Sequence, residues 1–504
     1  MKRIRIICLL LALLLTGMAL FSCGKGEEDE KNETKETDSA QTGTVRESDT
    51  AKETEEETVW YEPQRAKGKN YGGDDFTILT FPSDSTIYWS DSDFSATEIT
   101  GDTIGDAVVQ RNEYVSDLLG ISLVIVPAAN LGDITPVSNS VLSGRDDYQL
   151  AFQTTQSAFS LATNEKLIEL HTMEDLQLDA PWWDQNSLTD LSILNQNYVL
   201  FGDIGVMYRK TIGVMLFNKE ILDEHIEMPN PYLLVANREW TVEKLIDMAQ
   251  GAYVDANADT VANEGDIFGL VYQGDGFPIA MMGSGVQFVS KDRDDEPYLS
   301  FNDERTIEVI DLLAEVFFDT SVARSSSSYD RPLSAGHAAE FESGRALFDS
   351  SELHHVIVAR SMQQNFGVLP QPLFDEKQTS YYHCINPHVA STMVVPASNL
   401  DLSRTAIVAD ALSAAGKNFL DEAFYEITLQ GRSVRDEESR ISIEIAVNTV
   451  RYDIGYLSDW DISQVMMDMA NRRSTDFVSV YRNNESTFQS KLEKTVEEYE
   501  YLAD

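Results

Sequence analysis

Oxygen-bearing side chains alternate along one short stretch of the chain. Counted from Asp255, positions 1, 3, 5, 7, 9 and 12 are occupied by Asp255, Asn257, Asp259, Val261, Asn263 and Asp266. This is the ligand spacing of a helix–loop–helix calcium loop, in which side chains and one main-chain carbonyl surround a hard cation. Thr260 stands where such loops have glycine, and Asp266 has a shorter arm than the usual glutamate. The spacing predicts a structural Ca²⁺ that fastens a surface loop; the alternative is an acidic loop without metal.

Histidines form a second group that could bind metal, because Zn²⁺ and Mn²⁺ accept imidazole ligands. His354-His355, His383-Cys384 and His388 are close in sequence. Adjacent histidines point in different directions, however, and the segment from His383 to His388 has no usual zinc spacing. Structural histidines are therefore the favoured interpretation, and a metal-ion receptor is kept as an alternative.

Aromatic and polar side chains occur together in loops that follow predicted strands. Sugars stack their apolar faces on aromatic rings and hydrogen-bond through their hydroxyls, so a sugar site mixes both residue types in one cleft. Because ligands of open α/β sheets bind at the carboxyl ends of strands, we expect these loops to surround one crevice. The predicted ligand-binding residues are Trp89, Asp91, Thr154, Thr155, Trp182, Trp183, Asp203, Tyr208, Ser350 and Glu352. Core packing is the alternative for each aromatic residue.

A strand–helix–strand pattern must position these loops. Phe76–Phe81, Ile121–Val126 and Tyr148–Phe152 have the apolar character of buried strands. A helix with apolar residues at helical spacing is expected from Thr103 to Gly120. Strands that alternate with helices predict a parallel α/β sheet. Further along the chain, Arg404–Ala415 and Phe419–Leu429 are predicted as two helices.

Length and charge limit the classes of function. With 504 residues the chain has room for two cores, and its net charge is −46. Nucleic acid is excluded as a partner, because binding it requires a basic surface. The charge predicts a strongly hydrated surface and a monomer.

The N-terminus has the pattern of an export signal. Lys2, Arg3 and Arg5 precede an apolar run that is short for a membrane span. The segment ending at Cys23 resembles a bacterial lipoprotein signal, which implies cleavage after residue 22 and a lipid on the Cys23 sulfur. Residues 23–58 then form an acidic, disordered tether. Only Cys384 remains in the mature chain, so no internal disulfide is expected.

Motifs of common enzymes are missing. The sequence has neither a lysine-containing phosphate loop nor a Gly-x-Ser-x-Gly elbow. Its 84 acidic residues leave open a glycosidase carboxylate pair. A surface glycan hydrolase therefore stays an alternative.

The order of elements between Tyr198 and Ala249 is unusual. An apolar run and Gly202-Asp203 are followed by a second strand ending at Asn218-Lys219, a proline break, and a helix that starts at Trp240-Thr241. This order resembles the middle of bacterial extracellular solute-binding proteins of family 1, the sugar-type receptors of ABC importers. The segments at 339–348, 366–370, 388–396 and 451–455 resemble later elements of the same family. The resemblance covers about residues 74–504.

The resemblance implies a two-lobed periplasmic-binding-protein-like fold of type II, with mainly parallel sheets flanked by helices and joined by a multi-strand hinge. Lobe 1 is expected from residues 74–200 with 330–364, and lobe 2 from 201–329 with 365–504. It further implies a receptor without enzymatic activity that captures a sugar or oligosaccharide by hinge closure and delivers it to ABC permease subunits. We expect a lipid anchor on the extracellular face of the cell membrane of a Gram-positive bacterium. A peptide-binding receptor is a further alternative.

Overall fold

The computed structural model of the chain describes residues 59–82, 93–328, 336–429, 436–458 and 460–503. The strands are β1 (Asp74–Thr80), β2 (Ile121–Pro127), β3 (Leu150–Thr154), β4 (Gly213–Asn218), β5 (Phe268–Tyr272), β6 (Val289–Lys291), β7 (Pro297–Leu299), β8 (Ala323–Ser325), β9 (Ala346–Glu352), β10 (Phe366–Leu369) and β11 (Ser391–Val394). The helices are α1 (Thr103–Leu119), α2 (Thr135–Ser143), α3 (Thr155–Thr163), α4 (Gln185–Asp190), α5 (Lys219–Glu224), α6 (Pro231–Asn237), α7 (Val242–Ala252), α8 (Gly276–Gly283), α9 (Glu304–Phe317), α10 (Gly336–Glu342), α11 (Leu353–Val358), α12 (Leu402–Thr428), α13 (Glu437–Asn448), α14 (Ile454–Leu457), α15 (Ile462–Asn471) and α16 (Phe477–Ala503).

The first sheet has the strand order β11-β3-β1-β2. Strand β1 runs parallel to both β2 and β3, as the strand–helix–strand pattern predicts, and β11 adds an antiparallel strand beside β3. Helix α1 starts at Thr103, as expected, and the Asp102 carboxylate caps it by accepting the hydrogen bond from the Gly105 N–H. It ends at Gly120, whose φ of 58° is the left-handed conformation that glycine adopts without strain.

The second sheet has the order β10-β4-β9-β5-β8. Here β5 is parallel to β8 and β9, whereas β4 is antiparallel to β9 and β10. All six residues of β4 are buried, as in a central strand that is covered on both faces. The two-stranded β6-β7 sheet stands apart.

Two strands pair with a different sheet from the one that the predicted lobe boundaries imply. Ala346–Glu352, assigned to lobe 1, pairs with β4 and β5 of the second sheet. Ser391–Val394, assigned to lobe 2, pairs with β3 of the first sheet. The chain therefore crosses between the sheets more than once, and the lobe boundaries stay a prediction.

Two crossings run side by side between the sheets. The segment before β4, which we call the crossover segment, forms a bridge from Leu200 to Met393 in β11 and another from Ile212 to Ile385 in the segment between β10 and β11. Helix α12 packs along α1 of the first sheet and also contacts α11 beside the second. Several segments thus join the lobes, as expected for a multi-strand hinge.

Helix α12 is continuous over 27 residues, whereas the sequence predicts two helices. The glycine at its middle, Gly416, does not interrupt it. A Cβ built on Gly416 would lie 1.7 Å from the main-chain oxygen of Asp203. Glycine is required here because the crossover segment, which contains Asp203, passes so close to the helix that a side chain would not fit; it does not break the helix.

Residues 1–58 lie outside the described residues, so the signal peptide, the lipid on Cys23 and the tether stay predictions. Among the residues that the structure describes, no helix combines the length and the apolar character needed to cross a bilayer.

Candidate functional site

Polar side chains from both sheets meet at the segment between β10 and β11, which passes from one sheet to the other. Thr155 follows the carboxyl end of β3, Asp275 follows β5, and Ser350 and Glu352 end β9. Asn386, between β10 and β11, connects them: its Nδ2 donates to Asp275 Oδ2 at 3.1 Å and to Glu352 Oε1 at 2.8 Å. We call these five residues the interlobe cluster.

The first sheet reaches the interlobe cluster through the residue that follows Asn386. The Thr155 hydroxyl donates to the Pro387 carbonyl at 2.9 Å. The Asn386 side-chain oxygen accepts from the His388 N–H at 3.0 Å, which holds its amide group in one orientation. Parallel strands thus direct their carboxyl ends to one place, where open α/β sheets bind ligands.

The two carboxyl groups of the interlobe cluster are strongly perturbed. Burial raises the pKa of Asp275 to about 6. Burial, followed by the charge of Asp275, raises the pKa of Glu352 to about 8. Like charges in one buried site disfavour double ionisation, so both effects favour a proton on this pair.

Two polar atoms of the interlobe cluster lack a hydrogen-bond partner among the described residues. They are Ser350 Oγ and Glu352 Oε2, on side chains that are at most 3% exposed. Buried polar atoms are nearly always paired, so unpaired ones call for an explanation. A polar solute at this position would satisfy both.

Four predicted ligand-binding residues surround a different pocket, of about 220 Å³. Trp182, Trp183, Asp203 and Tyr208 line it together with Arg209 and Lys417. None of its lining residues belongs to the interlobe cluster. The structure therefore divides the predicted residues between two places.

The two indoles of this pocket are held by the scaffold. Both ring N–H groups donate to Asp410 Oδ1, at 3.1 Å from Trp182 and 2.9 Å from Trp183. The Trp183 ring also packs so closely on Gly202 that an added Cβ would lie 2.5 Å from it. Asp203 is ion-paired with Arg209 at 2.5 Å and with Lys417 at 3.1 Å. These contacts make the indoles structural and leave their N–H groups already paired.

Thr154, Thr155, Ser350 and Glu352 lie at the strand ends, as predicted, although Thr154 caps α3 through its side-chain oxygen. Trp89 and Asp91 lie outside the described residues. Sequence reasoning selected neither Asn386 nor Asp275 for the site. For Asn386 the available signal was an Asn-Pro pair between two strands.

The predicted calcium loop is an exposed turn that closes on its own side chains. Asp255 accepts the N–H groups of Asp259 and Thr260, and Asp259 accepts that of Val261. Thr260, at the position where calcium loops have glycine, has a φ of 63° and so keeps the sharp turn. The donors are oxygens, as a hard cation requires, and Ca²⁺ stays a prediction.

Comparisons with solved structures identify the fold. A cyclo/maltodextrin-binding protein complexed with maltotetraose aligns with 83% of this chain and 97% of its own, at 12% identity and a TM-score of 0.56. UgpB from Mycobacterium tuberculosis, in complex with glycerophosphocholine, covers 84% and 99% at 13% identity and a TM-score of 0.53. An ABC substrate-binding protein from Listeria monocytogenes, in complex with cycloalternan, covers 83% and 99% at 12% identity and a TM-score of 0.52.

The class defined by these likenesses is the two-lobed, periplasmic-binding-protein-like fold, and the chain has that fold. Of these three structures, the one from Listeria monocytogenes is an ABC substrate-binding protein. No protein-family model matches the sequence, and no curated protein sequence matches it either.

Proposed function

We propose that this chain is an extracellular solute-binding protein of an ABC importer, of the family 1 type, which captures a small polyhydroxylated solute between its lobes. The interlobe cluster carries the proposal. It brings hydroxyl, amide and carboxyl groups from both sheets to the segment that joins them, and two of its buried polar atoms have no hydrogen-bond partner in the described ranges of the chain. Sugars and oligosaccharides present the alternating donors and acceptors that such groups bind.

Capture follows from the position of the interlobe cluster at the crossings. A solute that bonds to Thr155 on one side and to Ser350 and Glu352 on the other binds the closed arrangement better than an open one. A ligand shifts a conformational equilibrium by its difference in affinity for the two states. The closed, solute-bound form is then the form that binds the ABC permease subunits. Cleavage before Cys23, its lipidation and a 23–58 tether would hold the receptor at the extracellular face of the membrane.

Ser350 allows a sharp test, because its hydroxyl has no hydrogen-bond partner within the described part of the chain. The substitution Ser350→Ala should leave the midpoint of urea unfolding unchanged and lower the affinity for the cognate solute about tenfold, the worth of one hydrogen bond. Isothermal titration with sugars, oligosaccharides, polyols and peptides measures this. Ser284→Ala is the matched control, since Ser284 Oγ is also buried, has no hydrogen-bond partner among the residues that the structure describes, and lies beyond the far end of α8.

Equal affinity in the Ser350 and Ser284 variants would contradict the position of the site. If no sugar, polyol or oligosaccharide binds the parent protein and a peptide does, the solute class is wrong.

One observation favours a second candidate, a surface glycan hydrolase. Asp275 and Glu352 share one amide nitrogen, and burial raises the pKa of both, as in a carboxyl pair of which one member works as an acid. Retaining glycosidases place two carboxyl groups about 5 Å apart. Incubation with oligosaccharides followed by chromatography separates the candidates: recovery of unaltered sugar supports the receptor, and product that disappears in Glu352→Gln supports the hydrolase.

A further inference from the structure

A compact group of metal-ligating side chains lies behind β9, apart from the interlobe cluster. His337 on α10, Asp349 on β9 and His355 on α11 each offer one ligand atom, and these atoms lie within 4.8 Å of one another. All three side chains are buried, and Asp349 is fully so. The residues come from three successive elements, so the group exists only in the folded chain.

The carboxylate of Asp349 stands between the two imidazoles. Its Oδ2 lies 2.5 Å from His355 Nδ1, and its Oδ1 lies 3.7 Å from His337 Nε2. The Ser351 hydroxyl is 3.4 Å from the same His337 nitrogen. One carboxylate and two imidazole nitrogens are the three protein ligands of a zinc site that keeps its fourth position open, and the Ser351 hydroxyl lies beside them.

A second carboxylate supports one of these imidazoles from outside. Glu342 Oε1 lies 3.2 Å from His355 Nε2, the ring nitrogen that faces away from Asp349. Metal-bound histidines usually donate this second N–H to a carboxylate, which orients the ring and fixes its tautomer. The Glu342 side chain is 35% exposed, so the group reaches the surface on this side.

Two buried atoms of the group have no hydrogen-bond partner among the described residues. They are Asp349 Oδ1 and His337 Nδ1. An unpaired carboxylate oxygen at zero exposure is costly. An ion bound beside His337 would satisfy Asp349 Oδ1 directly.

We propose that His337, Asp349 and His355 bind one divalent transition-metal ion of the zinc class, with Glu342 as the positioning carboxylate of His355. Imidazole and carboxylate ligands select such an ion over Ca²⁺ or Mg²⁺, which prefer oxygen alone. The site joins α10, β9 and α11. Side chains alternate along a strand, so Asp349 and Ser351 face this site while Ser350 and Glu352 face the interlobe cluster. The ion fastens the reverse side of the strand that carries the solute-binding residues.

The alternative is an ion pair without metal. Burial alone lowers the pKa of His355, yet Asp349 and Glu342 raise it to about 9 overall, so a protonated His355 can pair with both carboxylates. This arrangement leaves His337 as a neutral bystander, since burial lowers its pKa to about 4. The metal site and the ion pair therefore predict different effects of replacing His337.

The test uses the untagged protein, stripped with a chelator, loaded with ZnCl₂ and passed through a desalting column. We expect one zinc per chain by elemental analysis and a rise in melting temperature with Zn²⁺ that Mg²⁺ does not give. His337→Gln should reduce zinc affinity about a hundredfold or more, and Glu342→Gln about tenfold to a hundredfold. His171→Gln, at an exposed histidine that also contacts a carboxylate, should retain full zinc.

Cobalt in place of zinc adds a signature that a purely structural histidine would not change. The parent and the His171 variant should give the visible absorption of a protein-bound Co²⁺ centre, and the His337 variant should not. Absence of retained zinc in the parent, or equal zinc in the parent and a folded His337→Gln variant, overturns the proposal in favour of the ion pair. Solute binding by the interlobe cluster is measured separately, and either proposal can fail without the other.

Discussion

The contact between Gly416 and the crossover segment makes the substitution Gly416→Ala informative. In an exposed helix interior, alanine in place of glycine stabilises by about 1 kcal/mol. Here the added Cβ would lie 1.7 Å from the Asp203 carbonyl oxygen and 2.7 Å from its carbon. Real Cβ contacts with main-chain oxygen are about 3 Å or more, so α12 and the crossover segment must separate by more than 1 Å.

The magnitude follows from what this separation disturbs. Overpacking of a well-packed interior costs about 1–3 kcal/mol. The displaced residue, Asp203, also holds the buried Arg209 and the half-buried Lys417, and weakening such a pair adds to the cost. Against a propensity gain of about 1 kcal/mol, we expect a net destabilisation of about 2 kcal/mol or more.

Urea unfolding of the parent and the variant measures the change, with the same substitution at Gly251 as the matched control. Gly251 is an exposed glycine at the end of α7, and its added Cβ would meet only the flexible end of Met228, at 2.9 Å. Gly251→Ala should therefore be neutral or stabilising by a few tenths of a kcal/mol. If Gly416→Ala is as stable as Gly251→Ala, the close approach of the crossover segment to α12 is wrong.

Three further predictions concern charge, metal and anchoring. Burial raises the pKa of Asp410 to about 6 from an ordinary value near 4. The folded state therefore binds the Asp410 proton more tightly than the unfolded state does, and this stabilises the fold at low pH. The stabilisation, about 3 kcal/mol, is lost as the pH rises from about 4 to about 6. Urea unfolding at pH 4 and pH 7 should show a smaller fall in Asp410→Asn than in the parent, and equal falls would contradict the shift. Calcium should raise the melting temperature and EDTA should lower it, an effect lost in Asp259→Ala; a parent insensitive to both has no calcium site. Cys23→Ala should move the protein from the membrane fraction to the soluble fraction, and unchanged fractionation would exclude a lipid at Cys23.

Local patterns in the sequence predicted the local structure of this chain well. Apolar periodicity predicted the strands near residues 76, 121 and 150, and a glycine stop predicted the end of the helix at Gly120. Both signals depend only on residues that are close in sequence. The order of elements around the crossover was enough to indicate the two-lobed fold. The carboxyl ends of β3 and β9 were expected to carry site residues, and they lie beside Asn386.

Only the tertiary structure decided which distant residues meet. It brought Asp410 to the indoles of Trp182 and Trp183, more than 200 positions away, and so paired the N–H groups of rings that the sequence offered as ligand platforms. It placed β9 in the second sheet and β11 in the first. Hydrophobic periodicity and capping act over a few residues, whereas strand pairing and buried hydrogen bonds depend on the packing of the whole chain. For that reason the sequence alone determined the elements and the class of fold, while the interlobe cluster and the group of His337, Asp349 and His355 became visible only once the elements were packed.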